Sequence, residues 1–154
     1  MVIWAQDSEK LVAAPHRHDD QKVVLAEAER KGEKKMHKAI TRILLRLGVP
    51  PNIKGFRYLR DAISDVIEDI SLLSEITKRL YPNIARKNND TASRVERDMR
   101  HAINTAWARA GRTELIVKLF GDSISKKTGK PTNGQLIAAI ADYISMEAIA
   151  EKTN

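Results

Sequence analysis

The stretch from Asp90 to Arg109 holds the side chains best suited to chemistry with a partner. Arg94, Arg97, Arg100 and His101 recur every three or four residues, with Ser93, Glu96 and Asn104 beside them. That spacing gathers them on one side of a helix. A guanidinium fork pairs bidentately with the O6 and N7 of guanine, and a carboxylate accepts from the cytosine amine. The arginines and the glutamate of this stretch are therefore of the types suited to reading base edges. On the other side, Val95, Met99, Ala102, Ile103 and Ala106 form one apolar stripe, as in a helix packed along a single face. Asp90 or Thr91 is placed to cap it, since either side chain accepts from the free N–H groups of a first turn. Periodicity alone leaves a second reading open, an amphipathic helix with an ordinary solvated charged face.

The elements that must position these side chains come just before them. Tyr81-Pro-Asn-Ile-Ala-Arg-Lys-Asn-Asn reads as a shorter helix and a tight turn, with Pro82 in the first helical turn. Ala85, Asn89 and Val95 stand where a helix-turn-helix needs a small residue at the helix crossing, a residue tolerant of positive φ, and an aliphatic anchor. In such a unit the second helix lies in the DNA major groove, its N-terminal residues at base edges.

The rest of the chain is compatible with that use. Its 154 residues allow one domain with a core plus a tail, and a net charge of +7 favours a polyanionic partner. It has no cysteine, which rules out disulfides and thiolate metal sites and suits a reducing, cytoplasmic interior. No apolar run has membrane-spanning length, and the start lacks the pattern of a signal peptide, so no membrane partner is expected. Residues 1–35 are expected to be a linker or a partly helical segment interrupted at Pro15, and residues 36–154 a single domain. His16, His18, Asp19 and Asp20 have metal-ligand chemistry, but a solvated loop beside a proline yields the same letters, so no metal and no cofactor is expected.

From Met36 the pattern sharpens. Met36, Ile40, Ile43, Leu44 and Leu47 form a stripe ended by Gly48 and the Pro50-Pro51 pair. A second helix from about Gly55 turns Leu59, Ala62, Ile63, Val66, Ile67 and Ile70 inward, and Leu72, Leu73, Ile76 and Leu80 extend an apolar face toward Tyr81. After a stop at Gly111, Thr113 caps a short helix from Glu114 to Phe120 that has more apolar residues than one buried face can use. Leu115, Leu119 and Phe120 have the inward spacing, leaving Glu114, Lys118 and one of Ile116 or Val117 for a partner. Lys126, Lys127 and Lys130 surround Gly129 in a loop that could reach phosphates. Thr132 with Gln135 forms a capping box for a last helix carrying Leu136, Ile140 and Ile144 inward and fraying after Ala150. No segment alternates with period two, which predicts an all-α domain of about six helices.

Several blocks along the chain, in this order, carry a family resemblance: Gly48-Val-Pro, Ile53-Lys-Gly-Phe-Arg-Tyr-Leu-Arg-Asp-Ala-Ile, Ile76-Thr-Lys-Arg-Leu-Tyr-Pro-Asn-Ile-Ala, Thr91-Ala-Ser-Arg-Val-Glu-Arg, Arg100-His-Ala-Ile, Ala106-Trp and Lys130-Pro-Thr-Asn. Together they resemble the DNA-binding effector domain of the stage zero sporulation protein A family. The resemblance implies the output domain of a phosphorelay response regulator, which activates or represses sporulation genes by binding a short promoter box as a dimer. It further implies that Glu96, Arg97 and Arg100 meet base edges and that Ser93, Arg94 and His101 lie near the backbone. The helix from Thr113 to Phe120 corresponds to the family's surface for the RNA polymerase sigma subunit. Asn88 stands where the family tends to have an aromatic residue, which predicts weaker anchoring of the first helix of the pair, and Asp98 stands where a small apolar residue is expected. A phosphoacceptor receiver is a doubly wound sheet that 35 residues cannot supply, so the chain is expected to be a fragment or an effector acting without that switch.

Two other function classes compete. One is an all-α basic adaptor that binds nucleic acid nonspecifically or meets an acidic protein; phosphate attraction alone would make it bind all duplexes alike. The other is an enzyme, and the chain lacks a phosphate-cradling glycine loop, a nucleophile elbow or a His-Glu-x-x-His helix, so no catalysis is expected.

Overall fold

The computed structural model describes residues 3–109 and 113–153, with side chains for 19–109 and 113–152. Among these residues the architecture is all-α, six helices without strands. Helix α1 spans Ile3–Arg46, α2 Lys54–Glu68, α3 Tyr81–Lys87, α4 Ala92–Arg109, α5 Glu114–Phe120 and α6 Asn133–Thr153. The expected stop at Gly111 falls outside the described residues.

The chain divides into residues 1–35 and a compact unit from Met36 onward. In the first segment helix α1 is continuous, and Pro15 lies inside it where an interruption was expected. The residues from Leu25 to Lys35 are chiefly Leu, Ala, Glu, Lys and Arg, strong helix formers, which explains why this part is helical. Every side chain from 19 to 35 is exposed, Val23, Val24 and Leu25 included.

In the compact unit the last turns of α1 bury Ile40, Ile43, Leu44 and Leu47, and Gly48 ends the helix at φ 90°. Helix α2 is the central element, packing on both α4 and α6. It buries Phe56, Tyr58, Leu59, Ala62, Ile63 and Val66. At its start Gly55 allows α2 to approach α4 closely. A Cβ there would lie 2.7 Å from Ala102 Cβ and collide with the Asp98 carbonyl. Only a residue without a side chain brings α2 this close to α4.

The expected inward position of Ile70 is a correction. Helix α2 ends at Glu68, and a short 3-10 turn, Ile70–Ser74, follows with Asp69 capping it through Ser71 N–H. The changed periodicity leaves Ile70 69 % exposed and buries Leu72 instead. The apolar run toward Tyr81 is likewise not a plain α-helical face: Ile76–Leu80 winds as a π turn before α3 begins. Helix α6 runs on to Thr153, past the expected fraying point at Ala150.

Candidate nucleic-acid interface

Helices α3 and α4 form the expected pair. Pro82 sits in the first turn of α3, where its missing N–H costs no helix bond. Asn89 takes φ 51° in the turn, and Thr91 Oγ1 accepts from Arg94 N–H at 3.3 Å to cap α4. Asp90, the other candidate cap, has a different task. Its carboxylate accepts from Tyr58 Oη at 2.6 Å and from Thr91 N–H at 2.8 Å, tying the start of α4 to α2. These bonds hold the Asp90 carboxyl below its usual range, the Tyr58 hydroxyl contributing most. Burial first, then the bond to Asp90, pushes the Tyr58 phenol up to about 12.

Asn88, for which weaker anchoring of α3 was expected, makes polar contacts of its own. Its amide donates to Asp61 Oδ2 at 3.2 Å and to the Ile84 carbonyl at 2.9 Å, so the end of α3 is fixed to α2 by polar bonds. Lys87 reinforces this with an ion pair to Asp65 at 2.6 Å.

On α4, Val95, Met99, Ala102, Ile103 and Ala106 are all buried, as their spacing requires. Ser93, Arg94, Arg97, Arg100, His101 and Asn104 are exposed and Glu96 is half-buried. The structure thus brings the three base-reading candidates onto one open face, with Ser93, Arg94 and His101 around them. Each arginine there has a carboxylate partner. Arg94 lies 3.8 Å from Asp90 and Arg97 3.9 Å from Asp98, while Arg100 donates to Glu96 Oε1 one turn away. Asp98 is only 25 % exposed, and its side chain is held against the protein more than projected outward.

The three candidate lysines separate. Lys126 and Lys127 are exposed on the loop and Lys130 is half-buried. Lys130 lines a cleft of about 320 Å³ together with Tyr81, Glu96, Arg100, Thr132 and Asn133. Gly129 at φ 69° and a bond from Thr128 Oγ1 to the Lys130 carbonyl shape this loop. The capping box after it is formed as expected: Gln135 N–H donates to Thr132 Oγ1 at 3.1 Å and Thr132 N–H to Gln135 Oε1 at 2.9 Å. Asn133, which the sequence did not single out, is buried beside α4.

Helix α5 packs by Leu115, Ile116 and Phe120, with Thr113 Oγ1 accepting from Ile116 N–H at 3.3 Å. Trp107 of α4 meets Phe120 edge-on at 5.9 Å. Of the two alternatives for an outward apolar position, Val117 is exposed at 45 % and Ile116 is buried at 7 %. Ile116 therefore leaves the candidate partner surface, because a seven-residue helix on this core turns it inward beside Leu115. Glu114 and Lys118 are exposed. Leu119, expected inward, is half-buried.

A family model described as Sporulation initiation factor Spo0A C terminal matches residues 40–144, more than half of the chain. The chain belongs to this family. The match covers α2 to α5, the end of α1 and the part of α6 that packs, so the whole helix-turn-helix and its supports lie within it. Spo0A C-terminal domains are DNA-binding regulatory domains of sporulation and not an enzyme family. Among the described residues no group of His, Asp and Glu is arranged to hold a metal, and the side chains of His16 and His18 lie outside them. No described helix is long and apolar enough to cross a membrane.

Proposed function

We propose that this chain binds a promoter box sequence-specifically, with Glu96, Arg97 and Arg100 at base edges and Ser93, Arg94, His101, Lys126, Lys127 and Lys130 at the DNA backbone. The observation that carries the reading is the open face of α4. Three side chains able to discriminate bases project from a helix whose opposite face is buried and whose start is tied to α2 by Tyr58 and Asp90. On the same reading the chain is the output domain of a phosphorelay response regulator in the cytoplasm. It acts as a dimer on DNA, activates some sporulation promoters and represses others, and residues 36–154 are its effector unit with 1–35 as a linker. Glu114, Val117 and Lys118 on α5 meet the sigma subunit of RNA polymerase; their exposure supports that assignment.

Selection of duplexes from a random pool tests the central point. The selected box is expected to bind at least about 10³-fold more tightly than a scrambled duplex at the same salt concentration, the range of specific DNA-binding proteins. Equal affinity for both would overturn the reading in favour of a basic module attracted only to phosphates.

A further inference from the structure

Behind the reading face lies a single buried amide. Asn133, the first residue of α6, is 7 % exposed. Its position is fixed from several sides. Pro131 is buried, the Thr132 and Gln135 capping box closes around it, and a Cβ on Gly134 would come within 2.9 Å of Ile76 Cδ1. From this base the amide nitrogen donates to Tyr81 Oη on α3 and to the Glu96 carbonyl oxygen on α4, each at 3.1 Å. An amide NH2 carries two donor hydrogens, and these bonds use both. A carbonyl can only accept, so the amide has one possible orientation; turned over, it would set oxygen against oxygen.

We infer that Asn133 is a positioning residue for base recognition, holding α4 at one height and rotation against α3 and α6. The inference rests on the sequence-specific reading proposed above. The bond is made at the main chain of Glu96 itself, one turn from Arg100, so displacement of α4 at this point breaks it. Apolar packing holds α4 on its opposite side, where Val95 and Met99 are fully buried; the bond from Asn133 acts on the side that packing leaves open. The cleft of about 320 Å³ lies between α4 and the loop before α6, with Glu96, Arg100, Lys130 and Asn133 on its walls. Recognition of a base edge needs side chains held within about 0.5 Å, and a tether to the main chain of the reading turn contributes to this on the side of α4 that faces the cleft. Removing the tether leaves the phosphate-facing cations in place and lets the reading side chains wander.

The test compares the full chain with Asn133→Ala and Asn133→Asp, using the selected duplex and its scrambled counterpart at one salt concentration, with circular dichroism as a check of folding. In the folded variants the ratio of the two affinities is expected to fall roughly tenfold, the worth of about one aligned base contact. Affinity for the scrambled duplex is expected to stay within about twofold, because its phosphate contacts remain. A lower melting temperature with an unchanged ratio would show that Asn133 only supports the fold and would overturn the inference. Should neither variant fold, Tyr81→Phe removes one of the two acceptors and is expected to lower the ratio about threefold, a loss of the order of one hydrogen bond. An unchanged ratio in that variant also overturns the inference. A wild-type chain that prefers no sequence is a separate failure, read without any variant, and takes the sequence-specific reading and this inference down together.

Discussion

Glu96 and Arg100 are bonded to each other before any duplex is present. A base that Arg100 reads must therefore compete with its carboxylate neighbour. Arg97→Ala and Arg100→Ala are each expected to cost about 1–3 kcal/mol on the selected box and to relax the preference for guanine, measured as affinities over single-base variants. Glu96→Ala is expected to differ. It removes a negative charge near phosphates and frees Arg100, so overall affinity holds or rises while selection for cytosine weakens. Tyr58 gives a prediction in pH. Its phenol keeps its proton up to about 12 in the folded chain, against 10.0 ordinarily. The stability this supplies is fully present below the ordinary value and is lost as pH rises through the folded one. Tyr58→Phe is expected to lower stability at neutral pH by about 1–3 kcal/mol, since it also strips a donor from the Asp90 carboxylate, and to remove this part of the alkaline loss. Denaturant unfolding of both proteins across that range checks it. The exposed residues of this site were legible because helical spacing alone determines which side of α4 they share. Asn133 was not: its partners Tyr81 and Glu96 are 52 and 37 residues away, and no local pattern marks such a bond. What marked it in the sequence was its place in the Lys130-Pro-Thr-Asn block, directly after the cap Thr132 and just before the apolar pair Leu136 and Ile137.

Local chemistry decides how far single elements can be read from sequence. Thr91, Thr113 and the Thr132 and Gln135 box bond to backbone within three residues, so the starts of α4, α5 and α6 follow from adjacent letters. Ile70 and the π turn at Ile76–Leu80 escaped because an apolar run keeps its letters when the winding changes. Gly55 belongs to both kinds: its place at a helix start was visible, and its contact with Asp98 and Ala102 was not. Gly55→Ala is expected to force α2 from α4 and to destabilise by about 1–3 kcal/mol or more, measured by denaturant unfolding, with a matching loss of box affinity as α4 shifts. Helix α5 calls for the opposite outcome. Glu114→Ala and Lys118→Ala alter exposed side chains and are expected to change stability by less than about 0.5 kcal/mol. Box affinity should stay intact and reporter transcription from an activated promoter should fall. Parallel loss of binding and transcription would reduce α5 to a support of the fold, and no loss in either would detach the sigma contact from these side chains.

The net charge of +7 belongs to the whole molecule, and α4 holds only part of it. Lys126, Lys127 and Lys130 on the loop before α6 are expected to carry part of the phosphate attraction. Replacing one with Ala should weaken selected and scrambled duplexes alike and make the salt dependence shallower by roughly 1 unit in log–log slope, measured by titration at several salt concentrations. An unchanged slope would return the loop to solvated surface. On α4 the arithmetic of charge is different, since Arg94, Arg97 and Arg100 each face a carboxylate within the same helix or its cap. These pairings are expected to weaken the pull of the α4 face on arbitrary sequence without abolishing it. On the proposed reading, the time spent on wrong sites is expected to depend on the loop lysines, and the arginines are expected to add to residence chiefly where a base edge is a better partner than their own carboxylates. On that reading the search for a site is expected to be separated from its capture: charge on the loop favours encounter with any duplex, and arginines engaged by their own carboxylates favour early departure from a wrong one.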